Sequence, residues 1–325
     1  MRRVAIPREI SYGAAHPPRG GVRTLSGLTM GTTWRVTYVS EHDRNDRLRE
    51  RIEQVLDTVI AQMSTWEPCS DISRINRSPL GEWCSIRPEL RDVLACGLAV
   101  QHATGGAFDV SVGTSVDLWG FGPPGAIDRP PARIDTARSD RSLSPIELDA
   151  DDMRVRRNAD VRLDLSGIAK GHAVDLVLGT MRQVGHADCL VEIGGELAGA
   201  GVKPDGSPWW VEIAGHADDE PVVVALHGMA IATSGIERHL VLDGQTYSHT
   251  IDPATGAPIA NEMVQCSVVA SSCMLADAYA TALMVKGPCE WADISDAENI
   301  AAVMRHRASG QILETITPDM KRLLE

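Results

Sequence analysis

The stretch "CLVEIGGELAGAGVKPDGSPWWVEI", Cys189–Ile213, decides how the rest of the chain is read. Two short runs, CLVEI and WWVEI, are rich in residues that favour a pleated, half-buried surface, and the glycines and the turn signal KPDGSP lie between them. The pattern continues downstream through PVVVAL (221–226), HLVL (239–242) and MVQCSVVA (263–270), with LDGQ at 242–245 as another turn. Strand follows strand with no helical period between them. A doubly wound parallel sheet needs strict alternation of strands and helices, and no GxGxxG opens a helix here. The expected fold class is α+β: mixed and antiparallel sheets with packed helices, arranged in two lobes.

Working outward, the helices stand out by their period. In "RNDRLRERIEQVLDTVIAQMSTW", Leu48, Ile52, Val55, Leu56, Val59, Ile60 and Met63 recur at three- and four-residue steps and predict an amphipathic helix. "RPELRDVLACGLAVQHATGG" predicts a second, opened by Pro88 and stopped by Gly105–Gly106. "VRLDLSGIAKGHAVDLVLGTMRQVG" reads as strand, tight loop and helix up to Gly185. "SCMLADAYATALMVKG" reads as a helix with Gly287 past its end, and "AAVMRHRASGQILET" as a hairpin. TMGTTWRVTYVS (29–40) and the start of GAFDVSVG (106–113) read as strands, and Arg129–Pro145 as an exposed connection.

Composition narrows the function. The net charge of -13 disfavours nucleic acid, whose phosphates select basic surfaces. An anionic small molecule on such a chain needs a local remedy, and a divalent cation is the obvious one. Cys69, Cys84, Cys96, Cys189, Cys266, Cys273 and Cys289 are odd in number and contain no CxxC pair. They predict small core residues in a reducing compartment rather than a disulfide or zinc framework. No apolar run of signal-peptide length follows the N-terminal arginines, and no span approaches transmembrane length. The expected location is the cytoplasm, or the periplasm if the gene starts upstream. Residues 1–25 read as a flexible arm ahead of a domain at 26–325.

Three places carry candidate chemistry. In LDLSGIAKG (163–171), Asp164 ends a strand, Gly167 permits an unusual turn and Lys170 opens a helix, which makes a plausible phosphate cradle. The same residues also suit an ordinary turn with Asp164 as a cap and Lys170 solvated. In ADAYATA (276–282), Asp277 and Thr281 share one helix face among alanines. Two hard oxygens one turn apart suit Mg²⁺ or Ca²⁺, and they equally suit a surface aspartate beside a threonine bonded to its own helix. Trp66, before Pro68, suits either stacking on a flat ring or plugging a lobe. In YSHTIDPATGAPI (247–259) the turn residues explain themselves, but His249 does not. VEIGGELAGAG and TSGIERH read as turns with surface charges.

Taken in order, MGTTWRV (30–36), MSTWEPCSDISRIN (63–76), GAFDVSVG with LWGFGP (106–123), LDLSGIAKGHAVD (163–175), EIGGELAGAGVKPDGSPWWVEI (192–213), ATSG (232–235), YSHTIDPATGAPI and ADAYATALMVKG (276–287) resemble the ApbE family of FAD:protein FMN transferases. The resemblance runs from about Thr29 to about Gly287. It implies an ApbE-like, T-fold-like architecture with an FAD cleft between two lobes. It also implies Mg²⁺-dependent transfer of the FMN half of FAD to a Thr or Ser hydroxyl of an acceptor flavoprotein, with release of AMP. The metal set it implies is Asp277, Thr281 and the backbone oxygen of Gly167. The FAD contacts it implies are Met30, Trp66, Ala107, Phe108, Asp109, Asp164, Lys170 and Ile251. His249 is then placed to accept the proton of the incoming hydroxyl, alongside Asp277 as the second catalytic residue. Two alternatives share the same residues: an FAD pyrophosphatase giving FMN and AMP, and a non-catalytic FAD carrier.

Overall fold

The computed structural model describes residues 3–7, 17–42, 46–132, 144–213 and 220–324. Strand β1 (Arg3–Ala5) precedes a hairpin of β2 (Gly21–Thr29) and β3 (Thr32–Ser40). Helices α1 (Asp46–Met63) and α2 (Asp71–Arg77) follow, then β4 (Cys84–Ser85), α3 (Pro88–Ala103) and α4 (Gly113–Leu118). The middle of the chain holds β5 (Ile146–Asp149), β6 (Arg154–Arg157) and α5 (Ala169–Gln183). The strand-rich stretch then gives β7 (Cys189–Ile193), β8 (Glu196–Ala200), β9 (Trp209–Ile213), β10 (Val222–Leu226) and β11 (Met229–Gly235). It continues through β12 (His239–Leu242), β13 (Gln245–Ser248), β14 (Ile251–Asp252), β15 (Ala257–Pro258) and β16 (Met263–Ala270). The chain closes with α6 (Cys273–Glu298), β17 (Ala301–Ala308), β18 (Gln311–Ile316) and α7 (Pro318–Leu324).

The centre of the fold is an eight-stranded sheet in the order β18-β17-β16-β11-β8-β7-β3-β2. Every neighbouring pair in it is antiparallel. Successive side chains of a strand point to opposite faces, and here the two faces serve separate cores. Val36, Val191, Ala198, Ala232, Val268 and Met304 pack under the helices. Val39, Ile231, Val269 and Val303 face a small sheet, β1-β10-β9, and α7. On α1 the predicted stripe is buried at Leu48, Ile52, Leu56, Val59 and Met63. Each such side chain removed from water contributes roughly 1.5–3 kcal/mol. A third, smaller cluster of Trp119, Phe121 and Ile251 lies under the hairpin β12–β13.

Three expectations change. Gly106–Gly113 is not a strand: only Val112 pairs, in an isolated bridge to Arg162. The Asp109 side chain takes the Ser111 amide at 2.8 Å, a local bond that competes with a sheet ladder. Val161–Leu163 forms no strand either, its one bridge being that to Val112, because the Asn76 side chain takes both the amide and the carbonyl of Leu163. The helix that starts at Cys273 does stop at Gly287 as expected: the backbone there is non-helical at φ 72°, and a second helical run follows from Pro288. Residues 1–25 are not a free arm where they are described. Arg3–Ala5 pairs parallel with β10, and a boundary at residue 26 falls inside β2. Residues 8–16 and most of the connection expected over Arg129–Pro145 lie outside the described residues.

Candidate active site

Helices α5 and α6 meet at their N-terminal ends on the sheet, and the meeting is fixed by side chains from both. Asp175 of α5 accepts the amides of Cys273 and Met274, each at 2.9 Å. Those are orphan donors of the first turn of α6, so Asp175 caps that helix from outside. The Ser272 hydroxyl accepts the Leu275 amide at 3.3 Å and completes the cap. With this register set, Asp277 lies one turn into α6 and accepts the Gly171 amide of α5 at 3.0 Å. A Cβ on Gly171 would stand 2.3 Å from the Cys273 carbonyl oxygen and 2.9 Å from the Asp277 Cβ. Only glycine lets the two helices approach this closely.

Asp277 is 3% exposed, so it is not a surface aspartate. The alanines at 276, 278, 280 and 282 around it are fully buried, as in a helix enclosed on all sides. Thr281 follows one turn later. A Cβ on Gly167 would lie 2.9 Å from the Thr281 Oγ1, so the Gly167 backbone abuts that hydroxyl. Ser234 of β11 brings its own hydroxyl to 3.4 Å from the same atom. Carboxylate, hydroxyls and backbone thus collect in one place, and all are hard oxygen donors. The thiol of Cys273 points away, toward the Ile231 carbonyl oxygen at 3.8 Å. Among the described residues no three His, Cys, Asp or Glu side chains form a metal cage. One carboxylate with neutral oxygens and open positions is the donor set Mg²⁺ takes when substrate phosphates complete its shell.

Two further charges stand beside Asp277. Lys170, at the start of α5, forms an ion pair with Glu196 of β8. Burial pushes the Glu196 carboxyl up to about 7, with the Asp277 charge adding to the rise and Lys170 opposing it. Burial likewise raises Asp277, against the lowering pull of Lys170 and of the Gly171 amide. Burial works against the Lys170 charge as well, yet Asp277 and Glu196 together hold its pKa above the ordinary lysine value.

The loop Leu163–Gly167 is braced from two sides. Asn76 of α2 donates to the Leu163 carbonyl at 2.9 Å and accepts its amide at 2.7 Å. The Asp164 amide donates to the Val110 carbonyl at 2.8 Å, which sets the buried Ala107–Phe108–Asp109 segment alongside. The Asp164 side chain accepts the Ser166 amide at 2.8 Å and so shapes the loop rather than capping α5. The Phe108 ring lies at 3.4 Å from a Cβ position on Gly167.

His249 follows β13, at the foot of its hairpin. Its Nδ1 lies 2.9 Å from the Arg238 carbonyl oxygen, which also accepts the His249 amide at 3.2 Å. A carbonyl only accepts, so Nδ1 carries the proton and Nε2 of the neutral ring is left as the acceptor. Burial pushes the imidazole below its ordinary pKa; the bond to Arg238 opposes this, while the charges of Arg238 and Lys170 add to it. Ile251 is buried against Trp119 and Phe121, and the Trp119 Nε1 donates to the Gly256 carbonyl at 3.0 Å. Asp252 accepts the Ala254 amide and the Thr255 hydroxyl at 2.7 and 3.0 Å, which closes the turn.

The remaining predicted residues lie at the margins. Met30 stands at the β2–β3 turn with φ 48°, beside an open depression of about 540 Å³. The Gly194 amide bonds the Thr33 carbonyl at 3.0 Å, which ties that turn to the one leading into Glu196. Trp66, on the α1–α2 loop, is 55% exposed and plugs no lobe. Sequence reading missed Glu196, Asp175 and Asn76. For Glu196 a signal existed: a carboxylate directly after Gly194–Gly195, in line with Ala198 and Ala200 on the helix-covered face.

An enclosed carboxylate and threonine beside a lysine-bearing helix N-terminus form a donor set that suits a hard cation and phosphate esters. The chain belongs to the ApbE family, whose model matches residues 30–304. It is similar to the FAD:protein FMN transferase of Vibrio cholerae, 35% identical over 288 residues and 86% of each chain. The FAD:protein FMN transferase of Salmonella typhimurium is 34% identical, covering 93% of this chain and 89% of its own. The apo crystal structure of the Pseudomonas stutzeri flavinyl transferase ApbE matches with a TM-score of 0.85 and 34% identity, over 93% of this chain and 96% of that one.

Proposed function

We propose that the chain transfers the FMN half of FAD to a Ser or Thr hydroxyl of an acceptor protein and releases AMP. The observation that carries this reading is the convergence of Gly167, Gly171, Asp277 and Thr281 where α5 meets α6. In this reading FAD lies in the cleft between that junction and the β12–β13 hairpin. The acceptor oxygen forms a bond to the FMN phosphorus, the bond to the bridging oxygen breaks, and AMP leaves with that oxygen.

Asp277, Thr281 and the Gly167 carbonyl would hold Mg²⁺, which supplies charge neutralisation of the pyrophosphate when bound. Lys170 faces the same phosphates, and the positive end of the α5 dipole favours their negative charge. His249 takes the acceptor's proton at Nε2, its Nδ1–H being already committed to Arg238. Ile251, Phe108 and the exposed Trp66 supply apolar and ring surface for the dinucleotide, and Asp164 and Asp109 hold the loops that border it. No helix is long and apolar enough to cross a membrane among the described residues. The seven cysteines are unpaired, which supports a reducing compartment and a cytoplasmic location.

The test is mass spectrometry of serine- and threonine-bearing acceptor proteins incubated with the chain, FAD and Mg²⁺. An acceptor gaining one FMN by a phosphoester, with an equal amount of AMP, is the expected result. AMP accompanied by free FMN alone would replace the transferase reading with a hydrolase. FAD bound without any AMP would leave a carrier.

A further inference from the structure

Glu196 is 1% exposed, the most enclosed carboxylate among the described residues, and it sits on a face whose other β8 residues are Ala198 and Ala200. An apolar side chain at this position would serve packing better, because a buried ion pair gains little over a hydrophobic replacement of the same size. Its ion pair uses only Oε1, and Oε2 has no partner. Lys170, at the other end of the pair, is 32% exposed, so the pair runs from the core outward toward solvent. An ammonium has three donors; Glu196 takes one from the buried side and the others are left for the open side. A lysine is otherwise a point charge on a flexible four-carbon stem.

The position of Glu196 is itself over-determined. Gly194 and Gly195, at φ 60° and 102°, close the β7–β8 hairpin in two residues, and Glu196 pairs with Ile193. A slip of one residue would turn the carboxylate to the opposite face.

We propose that Glu196 is a positioning residue for phosphoryl transfer: it anchors the Lys170 ammonium beside Asp277 so that its free donors meet the FAD pyrophosphate. This rests on the reading that FAD phosphates occupy the α5–α6 junction. Glu196 touches no substrate and acts through Lys170 alone.

The experiment is a double-mutant cycle of Glu196→Gln and Lys170→Met, reading FAD affinity by flavin fluorescence, AMP release with Mg²⁺, and thermal midpoint. Glu196→Gln keeps the shape and one hydrogen bond but loses the anchoring charge. It is expected to lower kcat/KM for FAD about 10- to 100-fold, the range typical of residues that orient a functional group. In the Lys170→Met background the same change is expected to cost less than about twofold, since coupled residues are non-additive. Glu196→Asp, charged but shorter, is expected to fall between Gln and the unsubstituted chain. Effects that multiply in the double variant, or a Glu196→Gln protein with unchanged FAD affinity and AMP release, would overturn the role. Absence of AMP release from the unsubstituted chain sinks the transferase reading instead, and FAD affinity across the cycle still decides the role of Glu196.

Discussion

Gly171 donates its backbone amide to the Asp277 carboxylate across 3.0 Å, and nothing larger than a hydrogen fits on its Cα. The carboxylate of one helix is therefore seated on the first turn of another. The amide serves as one of its hydrogen-bond donors, and the second oxygen is left for other partners.

Gly171→Ala is expected to force α5 and α6 apart. The added methyl would meet the Cys273 carbonyl at 2.3 Å, backbone that cannot swing aside. Overpacking of this kind costs about 1–3 kcal/mol. Chemical denaturation should show that loss together with weaker Mg²⁺ binding. A variant with unchanged stability would mean that the helices are less tightly apposed than the structure has them.

Mg²⁺ is expected to stabilise the folded chain, by about 2.7 kcal/mol at a hundredfold excess over its Kd. Asp277→Asn should erase that shift, and EDTA should abolish AMP release. If the thermal midpoint of Asp277→Asn responds to Mg²⁺ as the unsubstituted chain does, the cation binds elsewhere.

The rate should depend on pH through His249. A proton acceptor must be neutral, and burial holds the imidazole below its ordinary pKa of about 6.5. In the Glu196→Gln background, where the carboxyl pushed up to about 7 no longer titrates, the rate is therefore flat through neutral pH and falls only as pH drops below about 6.5. Arg238→Met removes a charge that disfavours the imidazolium, so the acidic limb moves to higher pH while the plateau at pH 8 is retained. His249→Gln should remove the limb and lower kcat about 10²- to 10⁴-fold. A limb that persists in His249→Gln would assign the proton to another group.

Asp175→Ala is expected to leave the first amides of α6 without acceptors. Loss of a helix cap costs about 0.5–2 kcal/mol. Because Asp175 sets the register of Asp277, Mg²⁺ affinity should fall together with stability, and calorimetric titration reads it directly. Unchanged affinity in a destabilised variant would confine Asp175 to folding.

Much of this was legible in local pattern. The stripe from Leu48 to Met63 and the spacing of Asp277 and Thr281 follow from helical period alone, and β7, β9, β10, β12 and β16 follow from apolar runs between turn signals, whereas β8 and β11 carry no such signal. What could not be read are the partnerships across the chain. Asn76 bonds Leu163, Lys170 bonds Glu196, and Asp175 caps a helix that begins at Cys273. Each partner is an ordinary polar residue in its own neighbourhood, and only the topology of the sheet brings it to the other. Gly106–Gly113 failed for a different reason: Asp109 satisfies the backbone locally, which composition does not reveal.

The anchor of His249 is main chain at both points, since its amide and its Nδ1 share the carbonyl of residue 238. Every amino acid carries that carbonyl. The tautomer is thus inherited from the path of the chain and not from the identity of a neighbour. The side chain at 238, whose guanidinium donates to the Phe121 carbonyl at 3.1 Å, retunes how readily the imidazole takes up a proton without deciding which nitrogen receives it.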